Sequence, residues 1–337
     1  VNLQVQPYLQ HLDITMRDIV SRHLAHEDGF GVMLRYALGW SDEHDRPYNF
    51  PAGKRLRPLV LLLTAHALDD NWQRALPAAA AVELLHNFSL IHDDIQDASP
   101  MRHNRPTVWQ VWGIPNAINA GDAMFTLSYA ALAELAQVCS AEVVLQAWQI
   151  FNHTNAELTR GQHLDMRFEG LASVSTDAYV SMISGKSAAL IAASTQLGAL
   201  IASGSSQRAA HFYTFGRMLG IAFQIHDDIL GIWGDPQVTG KSTATDIVSR
   251  KKSLPVLFGL ARDERLAAFY SDPSPFTDER VTQIIGILDA AGAQDYARSL
   301  EAKYYDSALR ALREGNPRPA FAHMLEEFVN YLFQRAS

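Results

Sequence analysis

The apolar and polar positions of this chain read as helix nearly throughout. Alanine is abundant, and the β-branched alternating runs that strands need are scarce. Pro77 sits at a tolerated first-turn position and opens a predicted helix over Ala78 to Asp97. Further helices are predicted from about Asn116 to Val138, Ala141 to Phe168, Thr176 to Ser203 and Gln207 to Trp233. Three more are predicted towards the end: Asp278 to Ala290, Ala293 to Leu312 and Ala320 to Gln334. Gly204, Gly234-Asp235-Pro236 and Gly240 punctuate the series, and no Gly/Ser/Pro-rich linker divides it. The expectation is an all-α fold, a large helical bundle forming a single domain over residues 1–337.

One internal similarity stands out against this background. Leu90-Ile91-His92-Asp93-Asp94-Ile95 recurs as Gln224-Ile225-His226-Asp227-Asp228-Ile229, each near the C-terminal end of a long apolar helix. The distance between them is no solenoid period. It reads as two related helices presenting the same chemistry. In the first copy, Asp93 and Asp97 stand one above the other at i and i+4, with Asp94 to the side. Like charges so stacked destabilise a helix, and acids at its C-terminal end oppose the macrodipole. A hard divalent cation offsets both, and Mg²⁺ takes a few carboxylates while keeping water and phosphate oxygens. A single such cluster is as readily a solvated helix end. Two copies favour metal. In the second copy, Gly231 stands where an acid would match Asp97.

Composition narrows the choices. The 337 residues carry 28 Lys and Arg against 36 Asp and Glu, a formal net charge of −8. With 48% hydrophobic and 19% charged residues the chain is ordinary globular material, not a disordered one. The acidic balance argues against a general nucleic-acid binder. Cys139 is the only cysteine, so no intrachain disulfide and no multi-Cys metal site can form. Val1 to Gln10 lack the pattern of a secretory signal, and no apolar run reaches the ~18 residues of a membrane span. The expected location is the cytoplasm.

Within the acidic total, basic groups gather at particular places. Gly53-Lys54-Arg55-Leu56-Arg57-Pro58 precedes an apolar helix, where cations and free backbone N–H groups can meet an anion. Arg102, His103 and Arg105 follow the first acid run. Lys186 lies in Ser184-Gly185-Lys186-Ser187, Lys241 in Gly240-Lys241-Ser242, and Arg250, Lys251 and Lys252 come soon after. Each alone reads as a solvated cation. Beside two acid motifs, they suit a metal-bound polyphosphate. Neither Gly-Lys-Ser is a P-loop: the required earlier glycine is Val180 in one case and Asp235 in the other, and no strand precedes either.

This constellation resembles the trans-isoprenyl diphosphate synthases, the polyprenyl synthetase family, from about Gly53 to Pro255. The shared pattern is Gly-Lys-Arg-Leu-Arg-Pro, Asp-Asp-x-x-Asp, Arg102 with Arg105-Pro106-Thr107, Lys186, Gln224 with Asp227-Asp228, then Lys241 and Lys251. The resemblance implies an isoprenoid-synthase bundle with a central cavity, three Mg²⁺ ions and a homodimer. It implies that Asp93 and Asp97 bind Mg²⁺ on the allylic diphosphate, with Asp94 in support, and that Asp227 holds a further ion. Arg102, Lys186 with Ser187, and Lys241 would contact that diphosphate, and Lys251 would help to close the site. Lys54, Arg57 and His86 would bind isopentenyl diphosphate, and Gln224 would lie near the reacting carbons. The family's reaction ionises the allylic C–O bond; the isopentenyl double bond attacks the cation, and a proton leaves, with pyrophosphate as its acceptor.

Departures matter. His103 replaces the second of two adjacent arginines, so its contact with isopentenyl diphosphate is weaker, pH-dependent or supplied instead by Arg105. The tail of the growing product would run back along the helix at ~1.5 Å per residue, reaching Phe88 ~7.5 Å from Asp93. Phe88 with the small Ser89 implies, in this family, a twenty-carbon product, geranylgeranyl diphosphate; farnesyl and longer products are the alternatives. Gly-Ile-Trp-Gly-Asp-Pro and Arg-Lys-Lys resemble a bacterial branch that includes geranylgeranyl diphosphate synthases. Three rivals are weighed, of which a pure metal-binding bundle leaves the basic groups unexplained. A class I terpene synthase would need Glu where Ser253 stands after Thr245-Asp246. A non-catalytic subunit of a heteromeric synthase would lack an intact first acid motif.

Overall fold

The computed structural model describes residues 5–24, 29–48, 50, 53, 55–171, 173–234, 244–272 and 274–334. Among them the fold is all-α; the only paired strands are two residues long. The chain forms two compact units interleaved in sequence, one of residues 2–150 and 197–209, the other of residues 151–196 and 210–337.

In the first unit, α1 (Gln6–His23), α2 (Phe30–Ala37) and α3 (Leu56–His66) precede α4 (Leu76–Gln96). Pro77 lies in the first turn of α4, and Asp97 caps its end, as the sequence predicts. Ala78 to Ala81 are buried in succession, and small side chains let α4 pack closely along α6 (Ile114–Ala133). At Gly121 of α6 an added Cβ would lie 2.2 Å from the His92 ring, so glycine is what lets that ring fit. Between the two helices the chain forms an antiparallel hairpin, β1 (Met101–Arg102) and β2 (Arg105–Pro106), joined through His103 and Asn104, and then the short α5 (Val108–Trp112). Both turn residues have positive φ, 50° and 61°, the pattern of a type I′ turn. The sequence reading does not include this hairpin, nor α1 and α2.

In the second unit, Thr176 to Ser203, predicted as one helix, is broken. It runs as α8 (Thr176–Ile183), a π-helical turn (Ser184–Ala188) and α9 (Ala189–Ser203), whose last residues join the first unit. The break places Gly185 against the long helix α7 (Ala141–Glu169): a Cβ at Gly161 would lie 2.1 Å from the Lys186 nitrogen. Two backbones touch there, and only glycine fits. Helix α10 (Ser206–Trp233) buries Ile221, Ile225, Ile229 and Ile232, a stripe at helical spacing. It packs with Tyr179, Leu254 and Ala297 in the core. Leu254 opens α12 (Leu254–Leu260), which follows the short α11 (Thr245–Val248); α13 (Glu264–Ser271), α14 (Asp278–Ala290), α15 (Ala293–Glu314) and α16 (Pro319–Gln334) complete the chain.

Candidate active site

The first unit brings together the first acid motif and most of the early basic residues. Asp93 is half-buried, Asp97 exposed and Asp94 buried. Arg102, carried by the hairpin, binds Asp94 through Nε (2.8 Å) and Nη2 (2.7 Å), and its Nη2 lies 3.7 Å from Asp93. Burial pushes the Asp94 carboxyl up, against the pull of Arg102. Asp94 thus fixes Arg102 beside Asp93 and is itself turned away from solvent.

Seven residues earlier on α4 is a second station. His86 Nε2 lies 3.1 Å from Arg57 Nη1. A guanidinium can only donate, so Nε2 is the acceptor and the ring proton belongs on Nδ1. Burial, reinforced by the charges of Arg57 and Arg102, holds His86 well below the ordinary histidine range, so the ring is neutral at neutral pH. Beneath lies Glu83, 3% exposed, its carboxyl raised by burial while Arg55 and Arg57 pull it down. Arg55 itself is held by Asp13 at 3.1 Å. His103 lies near Gly53; burial and then Arg102 lower its pKa, which leaves it a poor cation at neutral pH.

Arg105 has a different role from the one considered for it. Its guanidinium lies between the rings of Tyr36 (3.8 Å to the centroid) and Phe50 (3.7 Å). It donates to the carbonyls of Tyr36 (3.3 Å) and Ser41 (3.1 Å). Nη1 and Nη2 each give a hydrogen to a carbonyl, which anchors the hairpin. Between His86 and Asp93 on α4, the Phe88 ring meets Phe125 of α6 (centroids 5.1 Å) and His92 (4.8 Å). Ser89 donates to the His86 carbonyl at 2.7 Å.

The second unit repeats the division seen in the first. Asp227 is half-buried and Asp228 fully buried. Asp228 accepts from the Tyr179 hydroxyl, the Leu254 N–H (3.1 Å) and Gln224 Nε2 (3.1 Å). The other end of the Gln224 amide accepts from Ser187 (2.6 Å). Burial, and then Asp228, push the Tyr179 hydroxyl well above its ordinary range, so it stays a donor. The π turn presents Lys186 to Asp165 of α7 at 2.5 Å.

The Arg-Lys-Lys run is sorted by partner. Arg250 donates to the carbonyls of Asp272, Ser274 (2.7 Å) and Tyr270 (3.3 Å), and Lys252 to those of Leu171 and Glu169 (2.9 Å). Lys251 alone meets carboxylates, at 3.6 Å from both Asp228 and Asp246. Burial acts to lower its ammonium, but Asp228, Asp246, Asp227 and Asp165 together hold it above the ordinary lysine range. Lys54 and Lys241, named from the sequence, lie outside the described residues.

Asp165, Tyr179, Glu83 and Asp246 belong to these clusters, yet none is among the sequence candidates. Asp165, Tyr179 and Glu83 meet groups more than twenty residues away, and Asp246, though near Lys251 in sequence, entered the sequence reading only as part of a rival motif. Among the described residues, no three His, Cys, Asp or Glu side chains converge closely enough to hold a metal unaided.

Comparison with known proteins places this geometry. A family model described as polyprenyl synthetase matches residues 45–288. The chain is 37% identical over 312 residues to a (2E,6E)-farnesyl diphosphate synthase of Mycobacterium tuberculosis, covering 90% of this chain and 85% of that one. It is also 37% identical over 292 residues to a geranylgeranyl diphosphate synthase of the same organism, covering 86% and 83%. A crystal structure of a polyprenyl synthetase from Streptomyces coelicolor A3(2) superposes with a TM-score of 0.89 at 31% identity, covering 96% of each chain. The chain belongs to the polyprenyl synthetase family, and its class of reaction is that of the isoprenyl diphosphate synthases, prenyl transfer.

Proposed function

We propose that the chain is a Mg²⁺-dependent short-chain trans-prenyltransferase that joins isopentenyl diphosphate to an allylic diphosphate, head to tail, with geranylgeranyl diphosphate as product. The observation that carries this is a division along one helix. α4 ends in Asp93 and Asp97 with Arg102 alongside, and about 10 Å back along it His86 holds Arg57. The first station suits a metal-bound diphosphate, the second a diphosphate met by protein donors without metal. Joining two diphosphate esters needs two such unlike stations.

The acids fit the metal. Asp93 and Asp97 are hard oxygen donors, as is Asp227, and the lack of a complete protein cage among the described residues suits Mg²⁺, which draws ligands from water and phosphate. When bound, Mg²⁺ would neutralise charge on the leaving pyrophosphate. The chain's own cations Arg102, Lys186 and Lys241 would share that task. Lys54, Arg57 and His86 would grip isopentenyl diphosphate, with neutral His86 donating from Nδ1. The allylic C–O electron pair leaves with pyrophosphate, the isopentenyl double bond attacks the allylic carbon, and the new cation loses a proton to the departing pyrophosphate. No Ser or Cys nucleophile is required. Ser187 and Gln224, locked to each other and to Asp228, would present a fixed polar face beside Lys186.

The twenty-carbon product rests on Phe88 as the floor of the tail pocket, and Phe88 is in ring contact with Phe125. The test is a product assay with Mg²⁺, labelled isopentenyl diphosphate and five-, ten- or fifteen-carbon allylic primers. Chains ending at twenty carbons are expected. Chains ending at fifteen would overturn the product, and no elongation from any primer would overturn the function.

A further inference from the structure

The second acid motif lacks its last acid, and the structure accounts for the gap. Gly231 lies within α10 and has no positive φ, so its backbone does not call for glycine. Glycine inside a helix costs about 1 kcal/mol relative to alanine. What the glycine leaves is space: a Cβ at Gly231 would lie 2.5 Å from both Cγ and Oδ2 of Asp246 and 2.8 Å from its Oδ1, so a side chain there would displace that carboxylate. A carboxylate from α11 therefore fills the volume that a side chain at position 231 would enter.

That carboxylate has a definite partner. The Lys251 N–H donates to the Asp246 carbonyl at 2.8 Å, and the Lys251 ammonium lies 3.6 Å from the Asp246 carboxylate. Lys251 is thus tied to Asp246 at both its backbone and its side chain, while its neighbours Arg250 and Lys252 are committed to backbone carbonyls. From this position the ammonium also lies 3.6 Å from Asp228, one residue from Asp227.

We infer that Asp246 takes the place of the acid missing at Gly231, and that Gly231 and Asp246 work as a pair whose task is to position Lys251 beside Asp227-Asp228. Asp246 is a positioning residue acting through Lys251. The inference rests on the proposed function only for what Lys251 meets, a diphosphate group. It carries an unobvious consequence: restoring the motif acid at position 231 harms the site, because it expels the acid already there.

The test is calorimetric binding of inorganic pyrophosphate with Mg²⁺ to the full chain. Gly231→Asp and Asp246→Asn should each weaken binding about tenfold, the size of one lost charge-assisted contact. The Gly231→Asp/Asp246→Ala double variant, which moves the carboxylate back to α10, should bind within about threefold of the parent. In a Lys251→Ala background, Asp246→Asn should cost no more than about twofold, because its route of action is gone. Parental or tighter binding by Gly231→Asp, a double variant worse than either single, or an undiminished Asp246→Asn effect without Lys251 would each overturn the inference. Should Gly231→Asp fail to fold, the Asp246–Lys251 cycle decides alone. Isopentenyl incorporation by the parent is scored separately: its failure sinks the prenyltransferase reading, while the pyrophosphate cycle still reads the pair.

Discussion

At the scale of the residue, each Asp-Asp pair divides into two kinds of aspartate. Asp93 and Asp227 are half-buried, whereas Asp94 and Asp228 are buried and spend their oxygens on protein donors. Asp93→Ala should therefore abolish elongation, by at least a hundredfold, while leaving the melting temperature near the parent's; turnover within threefold of the parent would sink the metal assignment. Tyr179→Phe should behave the opposite way. It removes a donor from a fully buried carboxylate, which costs about 1–3 kcal/mol, read as a lower urea midpoint. His86 gives a pH dependence. Its folded pKa lies below the unfolded 6.5, so the unfolded chain binds more protons as pH falls. Stability from this group is present above about pH 6.5 and is lost below it. Urea titrations at pH 8 and pH 5.5 should show a smaller loss in His86→Gln than in the parent, since Gln can still accept from Arg57. An equal loss would mean that His86 is not held neutral.

At the scale of the element, glycine contacts and a short hairpin do what helix period alone cannot. Gly161→Ala should destabilise the chain by about 1–3 kcal/mol and loosen Lys186, because the added methyl meets backbone rather than a side chain that can turn aside. A melting curve and the allylic KM read the two effects. Phe88→Ala should lengthen the product, but only modestly while its ring partner Phe125 remains; an unchanged product would put the floor elsewhere. The long helices were legible in the sequence because their apolar stripes repeat over several turns, as in Ile221, Ile225, Ile229 and Ile232. The π turn at Ser184–Ala188 was not, since it has the composition of the helices it joins. The hairpin was not either: two-residue strands are too short to alternate, and His103-Asn104 lacks the glycine that usually marks its turn. The acid run and its basic neighbours could be read locally. Asp165 and Glu83 could not, because only folding brings them to their partners, and Asp246 could not, because nothing in its local pattern tells that its carboxylate sits against Gly231.

At the scale of the whole molecule, the proposed function asks a chain of net charge −8 to receive polyanions. Its candidate cations are held in fixed surroundings: Arg102 on Asp94, Arg57 on His86, Lys186 on Asp165 and Lys251 between two acids. Among the described residues no helix is long and apolar enough to cross a membrane. The mounting of Arg105 bears on how such a molecule responds to salt. Exposed ion pairs weaken as the Debye length shrinks from ~10 Å at 0.1 M to ~3 Å at 1 M. Arg105 is not mounted on an ion pair but on two aromatic faces and two carbonyls, so added electrolyte has little to screen. The hairpin that carries Arg102 should then hold its place in brine, and ionic strength should raise the Michaelis constants of the substrates while the turnover number at saturation stays nearly constant.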